Sequence, residues 1–253
     1  MKVYFIGAGP GDPELLTLKA HRRLAAAECC IWAGSLINPQ IMELVPPDCA
    51  VYDSAGMDLN EIISVIQEFA DKNIDVIRLH TGEPAIFGAI SEQMDRLDQI
   101  GIDYDVIPGI SSFQAAAAAL RTELTAPEVA QVVVLGRVAG RTPVPESQSL
   151  EKLAATGSTL CLFLSVGQIK KIASQLSGYY GPDCPAAVIY HASWPDQLIL
   201  KGTLVDITEK VTKANITKTA MIIVGHALQR PLSHASLLYD TYFTHEFRQG
   251  IEK

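Results

Sequence analysis

No apolar run in this chain approaches the ~20 residues that a membrane-spanning helix needs. Cysteine is sparse: Cys29, Cys30, Cys49, Cys161 and Cys184 are all there is. Their number is odd and none stands in a Cys-x-x-Cys pair. That argues against a disulfide framework or a zinc site and fits buried thiols in a reducing cytoplasm. Basic residues do not prevail. Lys plus Arg total 20 against 28 Asp plus Glu, for a net charge of −8 and a pI near 5.2. A chain this acidic lacks the field of a general nucleic-acid binder, although a few local arginines can still grip a small anion. The histidines, His21, His80, His191, His226, His234 and His245, show no metal-ligand spacing on a shared helix face. Gly-x-Ser-x-Gly is missing, and Ala33-Gly34-Ser35-Leu36 does not resemble it, so a serine-hydrolase elbow has no support. No basic stretch precedes a long apolar one at the N-terminus, so no signal peptide is expected. No repeat of ~20–50 residues is visible.

What is present is alternation, on a composition that is 48% apolar and can fill a sizeable core. Short apolar runs at Val3–Ile6, Cys29–Trp32, Ala50–Tyr52, Asp75–Leu79 and Tyr104–Ile107 read as strands. Between them lie helical patterns. Leu59, Ile62, Ile63, Ile66 and Phe69 share one face, Met94 and Leu97 do so more weakly, and Phe113 to Leu120 is alanine-rich. Such alternation implies an α/β domain on a mainly parallel sheet, expected over 1–124. Leu124–Glu128 reads as a linker. A second α/β domain with a mixed sheet is expected over 129–229. Its strands are Gln131–Leu135, Thr159–Leu164, Ala186–Tyr190, Gln197–Leu200 and Met221–Val224, and its helices Val166–Leu176 and Leu204–Val211. Residues 230–253 read as a tail without a clear period.

The densest signal is Gly7-Ala8-Gly9-Pro10-Gly11, between the first strand and a helix. Glycines there let backbone approach a ligand closely. The spacing is not that of a dinucleotide fingerprint, because Asp12 stands where the third glycine belongs. Pro10 also removes a backbone donor. The turn suits a ligand without phosphates. A nicotinamide-dependent reductase, the obvious rival, also needs an acidic residue after the second strand, and Cys29–Trp32 ends in Ala33-Gly34.

The stretch from Phe5 to Ala20 resembles the tetrapyrrole methylase family, whose members bind S-adenosylmethionine (SAM). Further segments match in the family's order: Arg78 to Gly88, Val106 to Phe113, Pro185 to Tyr190 and Thr219 to Gly225. The resemblance covers nearly the whole chain. It implies two α/β domains with the active site in the cleft between them, and a homodimer. It also implies SAM contacts at Gly9, Pro10, Thr81, Gly82, Glu83, Ile86, Ser111, Ser112, Leu164, Ala192 and Ala220. Each of these has an ordinary reading too. Thr81-Gly82-Glu83-Pro84 could be a helix-entry turn, since Pro84 suits a first helical turn. Ser111 and Ser112 could cap the next helix. Leu164, Ala192 and Ala220 could be plain core. Glu83 replaces the family's frequent aspartate and keeps the acceptor.

In family members that act on uroporphyrinogen III, an aspartate near position 33 acts as general base and a lysine further on assists. This chain has Ala33-Gly34 and Asp53-Ser54-Ala55-Gly56 instead. Both departures are similar to one branch, whose members methylate C-11 of precorrin-4 or of its cobalt complex in cobalamin synthesis. Gly140 to Pro145, Ala192-Ser193-Trp194-Pro195 and the segment from Tyr239 to Arg248 resemble the same branch. Diphthine synthases and ribosomal-RNA methylases share the family fold but not these segments. A tetrapyrrole rich in carboxylates needs cationic partners, and Arg137 and Arg141 are the candidates. A non-catalytic porphyrinoid carrier is the remaining rival, and it would have no use for the SAM loops. No residue is assigned as the base that takes the macrocycle proton, and no metal ligand is expected.

Overall fold

The computed structural model describes residues 1–229 and 236–251. The chain divides into two units, Met1–Ala116 with His191–Gln197, and Ala117–Tyr190 with Leu198–Lys253.

The first unit is built on the strands β1 (Lys2–Gly7), β2 (Cys29–Trp32), β3 (Ala50–Asp53), β4 (Val76–His80) and β5 (Asp103–Ile107). They form a parallel sheet in the order β3-β2-β4-β1-β5. β1 is apolar along its length because it is covered on both faces, as parallel strands must be. Tyr4, Ile6, Ile77 and Leu79 look one way, toward α1 (Leu18–Leu24) and α2 (Pro39–Met42). Val3, Phe5, Ile31 and Val76 look the other way, toward α3 (Leu59–Asp71) and α4 (Ser91–Gln99). The apolar stripe read from the sequence is the buried face of α3, whose start is fixed by a reciprocal cap between Asp58 and Glu61.

The second unit holds β6 (Val133–Arg137), β7 (Thr159–Phe163), β8 (Pro185–Tyr190), β9 (Leu198–Thr203) and β10 (Ala220–Val224). Their order is β6-β7-β10-β8-β9. Only β6 and β7 run parallel; the other pairs are antiparallel. The sheet is therefore mixed. Its core is shared with α6 (Leu150–Ala154), α7 (Ile169–Tyr180) and α8 (Ile207–Lys213).

Several elements differ from their expected extents. α8 begins at Ile207, not at Leu204, because β9 runs on to Thr203 and Asp206 Oδ1 then accepts from Thr203 N–H at 2.8 Å. The segment expected as a linker is packed: Ala126 and Ala130 pair as an isolated bridge and bury against Ala227. α5 (Ser112–Leu120) spans the division between the units. His191–Gln197, in the connection between β8 and β9, belongs by its contacts to the first unit and takes Ala192 with it. Residues 230–235 and 252–253 of the expected tail lie outside the described residues.

Candidate active site

β1, β4 and β5 are adjacent and parallel, so their C-terminal loops emerge at one end of the sheet, where open α/β sheets bind ligands. The loops meet through backbone. Gly9 N–H donates to Gly82 O at 3.2 Å, and Gly82 N–H to Gly9 O at 2.8 Å. Ala8 N–H donates to His80 O at 2.7 Å. The loop after β5 joins through Glu83, whose Oε2 accepts from Gly109 N–H at 2.8 Å while Oε1 accepts from Ala85 N–H at 2.9 Å. A methyl group on Gly7 would lie 2.6 Å from both Gly109 N and Gly82 O. One on Gly109 would overlap Gly82 O and stand 2.8 Å from Gly7 Cα. Gly7 and Gly109 are therefore required by the packing of loop on loop, not by a ligand. Gly82 differs. Its φ is +60°, and a Cβ there meets nothing nearer than 3.9 Å, so its outer side faces open space.

The polar groups of the first loop are almost all committed. Gly9 spends both its N–H and its C=O on Gly82. Pro10 has no N–H, and its carbonyl accepts from Trp194 Nε1 at 2.8 Å. Gly11 O accepts from the buried Asn38 Nδ2 at 2.9 Å, and Asp12 N–H donates to Ser193 Oγ at 3.0 Å. A row of free N–H groups is what a pyrophosphate needs. Of the N–H groups of Gly9, Gly11 and Asp12, only that of Gly11 lacks an acceptor among the described residues, and one N–H is not such a row, which counts against the nicotinamide rival. It offers a ligand shape and van der Waals surface.

The expected contact residues fall as follows. Gly9, Pro10, Thr81, Gly82, Glu83, Ser111 and Ser112 are together on these loops. Thr81 Oγ1 donates to Leu36 O at 3.0 Å, tying in the loop after β2. The carboxylate of Glu83 clamps loops. Thr81–Pro84 is not a helix entry: Pro84 and Ile86 lie in a turn closed by Ile86 N–H to Glu83 O at 3.1 Å, and α4 starts only at Ser91. Phe87 and Ala89, at φ of +55° and +50°, break the helical path between them. At α5 the capping is done by Gln114, whose Oε1 accepts from Ser111 N–H at 2.9 Å.

In the second unit β7 and β8 run antiparallel to β10, so Leu164, Tyr190 and Ala220 share one end of the sheet. Leu164 and Thr219 are held there at φ of +53° and +54°, and Leu164 is 75% exposed. Non-glycine residues in that region cost about 1–3 kcal/mol each and concentrate at functional sites. Arg137 ends β6 at the same end. Its guanidinium donates to Thr142 O at 3.2 Å and Pro143 O at 2.7 Å, shaping the proline-rich loop. Arg141 is exposed on that loop, with no hydrogen bond or ion pair among the described residues.

Residues 2–208 match the family model of the Tetrapyrrole (Corrin/Porphyrin) Methylases. The chain belongs to that family. It is 48% identical over 253 residues to a cobalt-precorrin-4 C(11)-methyltransferase of Methanocaldococcus jannaschii, covering 100% of this chain and 98% of the relative. It is 43% identical over 250 residues to a precorrin-4 C(11)-methyltransferase of Pseudomonas aeruginosa, covering 99% and 100%. A solved cobalt precorrin-4 methyltransferase superposes with a TM-score of 0.88 at 41% identity, over 90% of this chain and 96% of that one. A uroporphyrin-III C-methyl transferase from Thermus thermophilus, solved with S-adenosyl homocysteine, superposes with a TM-score of 0.74 at 27% identity, over 90% and 94%.

In this methylase the loop after β2 is tied to the end of β3. Asp53 Oδ1 accepts from Gly34 N–H at 3.0 Å and from Ala55 N–H at 2.9 Å, and the carboxylate lies against the Cα of Gly34. Ser54 Oγ donates to Trp32 O at 2.9 Å. Gly34 and Asp53, the two departures from the wider family, are thus one structural unit. Burial pushes Cys29 and Cys161 up to about 12 and Cys30 higher still, so none is a thiolate at neutral pH.

Beneath the loops the methylase buries Arg78 and His80 on the α4 face of β4. Arg78 Nε donates to Gln93 Oε1 at 3.0 Å and Nη1 to Ile31 O at 3.3 Å; burial lowers its pKa to about 10. His80 packs against the Phe5 ring, and its Nε2 has no hydrogen-bond partner among the described residues. Burial, then the Arg78 charge, pulls its imidazole from 6.5 down to about 3. The unfolded chain therefore binds a proton near pH 6.5 that the folded one refuses until about pH 3. Stability from this group is complete above pH 6.5 and falls as the pH drops through that window. The loss should reach about 2 kcal/mol at pH 5. Denaturant titrations from pH 7 to 5 on wild type and His80→Gln test this. The variant should lose less stability over the range by about that amount, and parallel curves would reject the assignment.

Proposed function

We propose that this methylase transfers a methyl group from SAM to C-11 of precorrin-4, giving precorrin-5, in cobalamin biosynthesis. The alternative substrate is cobalt-precorrin-4. The observation that carries the reading is its likeness, along the whole chain, to relatives named for both reactions. SAM is the co-substrate and S-adenosylhomocysteine (SAH) the product. The loops fit such a ligand: the outer side of Gly82 is open, and no anion nest competes for a phosphate.

SAM supplies an activated methyl group. The macrocycle carbon attacks it in line, the carbon–sulfur bond breaks as the new carbon–carbon bond forms, and a proton leaves the macrocycle afterwards. A neutral nucleophile meets a cationic methyl group, so little charge must be created. Positioning and exclusion of water then carry much of the rate. Gly9, Pro10, Thr81, Gly82, Ile86, Ser111 and Ser112 would shape the donor site, with Glu83 holding its loops together. Leu164, Ala192 and Ala220 are kept as adenosine contacts on the family resemblance. Arg141 would meet substrate carboxylates, helped by the donors that Arg137 does not spend on its own loop.

Incubating the protein with SAM and each form of precorrin-4 tests the reading. Mass spectrometry should find one added methyl group on at least one form, with SAH released. Binding of both ligands without turnover would favour a carrier, and no change in either form would overturn the reading. A cytoplasmic homodimer is part of the proposal. Light scattering at micromolar concentration should give twice the 27.3 kDa chain mass.

A further inference from the structure

The connection between β8 and β9 makes a strap, His191–Gln197, whose contacts are with the first unit. It is braced by its own hydrogen bonds. Trp194 N–H donates to His191 O at 2.9 Å, Gln197 N–H to Trp194 O at 3.1 Å, and Ser193 N–H to Gln197 Oε1 at 2.8 Å. The His191 ring stacks on the indole of Trp194 at 4.6 Å and bonds Asp196 through Nδ1 at 2.9 Å. His191 and Ser193 are held at φ of +45° and +70°, which side-chain-bearing residues adopt only when their surroundings over-determine them.

What the strap grips is the glycine loop after β1. Trp194 Nε1 donates to Pro10 O, Ser193 Oγ accepts from Asp12 N–H, and the indole lies directly on the Cα of Gly11. A Cβ on Gly11 would overlap Cδ1 and Nε1 of the indole. Gly11 is therefore a glycine for the sake of Trp194, which occupies that side of the loop.

We propose that Trp194 is a positioning residue for the methyl donor: it locks Gly9-Pro10-Gly11 into the ligand-ready shape. The inference rests on the SAM reading above. A loop with Gly9 at φ +71° and Gly11 at φ +151° would sample many conformations if left alone. Ordering it on binding would weaken affinity, and a strap that orders it beforehand removes that cost. The effect belongs to donor binding, so it should appear in KM and Kd for SAM and leave kcat alone.

Calorimetry with SAH on wild type, Trp194→Phe and Trp194→Ala is the test. Trp194→Phe keeps a ring over Gly11 and loses the hydrogen bond, so its Kd should rise about three- to tenfold. KM for SAM should rise in step, with kcat within about twofold of wild type. Trp194→Ala should bind more weakly still. The chain has two tryptophans, Trp32 and Trp194. In Trp32→Phe, SAH should therefore still change the emission, and in Trp194→Phe that change should be lost. A tryptophan that served stability alone would lower Tm and the active fraction but leave the Kd of the folded molecules at the wild-type value. That result, in Trp194→Phe, overturns the proposal even if Trp194→Ala fails to fold. Wild-type protein that binds neither SAM nor SAH overturns the functional reading itself, and with it this inference.

Discussion

Gly109→Ala should abolish measurable SAH binding and lower the thermal midpoint by roughly 6–12 °C. The reason is geometric. The new methyl group would be driven into the carbonyl of Gly82 and onto the Cα of Gly7. Those neighbours are backbone, Gly7 at the end of β1 and Gly82 bonded on both sides to Gly9, so no rotamer change can relieve the overlap. Overpacking of this kind costs roughly 3 kcal/mol. Relief must come from moving the loop after β5 away from the other two. That breaks the bond from Gly109 N–H to Glu83 and opens the surface on which a donor would lie. Gly82→Ala is the control. Its Cβ enters open space, so the stability cost is that of a left-handed alanine, about 1 kcal/mol. Its affinity for SAH should still fall, because that open space is the one proposed for the ligand. Circular dichroism melts and calorimetry on both variants separate the effects. A Gly109→Ala protein with the wild-type midpoint and Kd would mean that the three loops do not close on one another as described.

The parallel half of the fold was legible because its inner strands β1, β2 and β4 are buried on both faces. Val3–Ile6 and Cys29–Trp32 announce themselves as short apolar runs, and the stripe of α3 has the helical period. Boundaries were weaker where an apolar residue continues a pattern past its end. Leu204 looks like the first helical residue, but the bond between Thr203 and Asp206 delays α8 by three positions. Pro84 looks like a helix start, but the Glu83 carboxylate spends its acceptors on Ala85 and Gly109 and makes a loop clamp instead. The site was partly legible, since glycine density marks backbone approach. It does not say what approaches. Gly11 faces an indole, Gly7 and Gly109 face each other, and only Gly82 looks outward. The strap was unreadable as a strap. Ala192-Ser193-Trp194-Pro195 has no period, and its role depends on a contact 184 positions away in the chain.

Arg141→Ala should raise KM for the tetrapyrrole about thirtyfold and leave the Kd for SAM unchanged. A protein of net charge −8 repels a polycarboxylate through its overall field, so attraction must come from local cations. A guanidinium is the suitable group, because its planar donors meet a carboxylate two at a time. The sequence offers Arg137 and Arg141 together, but the structure sets them apart. Arg137 spends donors on Thr142 O and Pro143 O, so part of its work is to shape the loop. Arg141 stands on that loop with no hydrogen bond or ion pair among the described residues, and its full set of donors is open to a ligand. Removing one member of a desolvated pair costs roughly 2–5 kcal/mol, against roughly 0–1 for an exposed pair. The lower end of the first range is the thirtyfold. Arg141→Lys keeps the charge and loses the fork, so it should recover only part of the affinity. Arg137→Ala should act more mildly, loosening the loop. Steady-state kinetics with the tetrapyrrole varied at saturating SAM decide the matter. If Arg141→Ala keeps KM within about threefold of wild type, the guanidinium is a solvated surface charge and the substrate is held elsewhere.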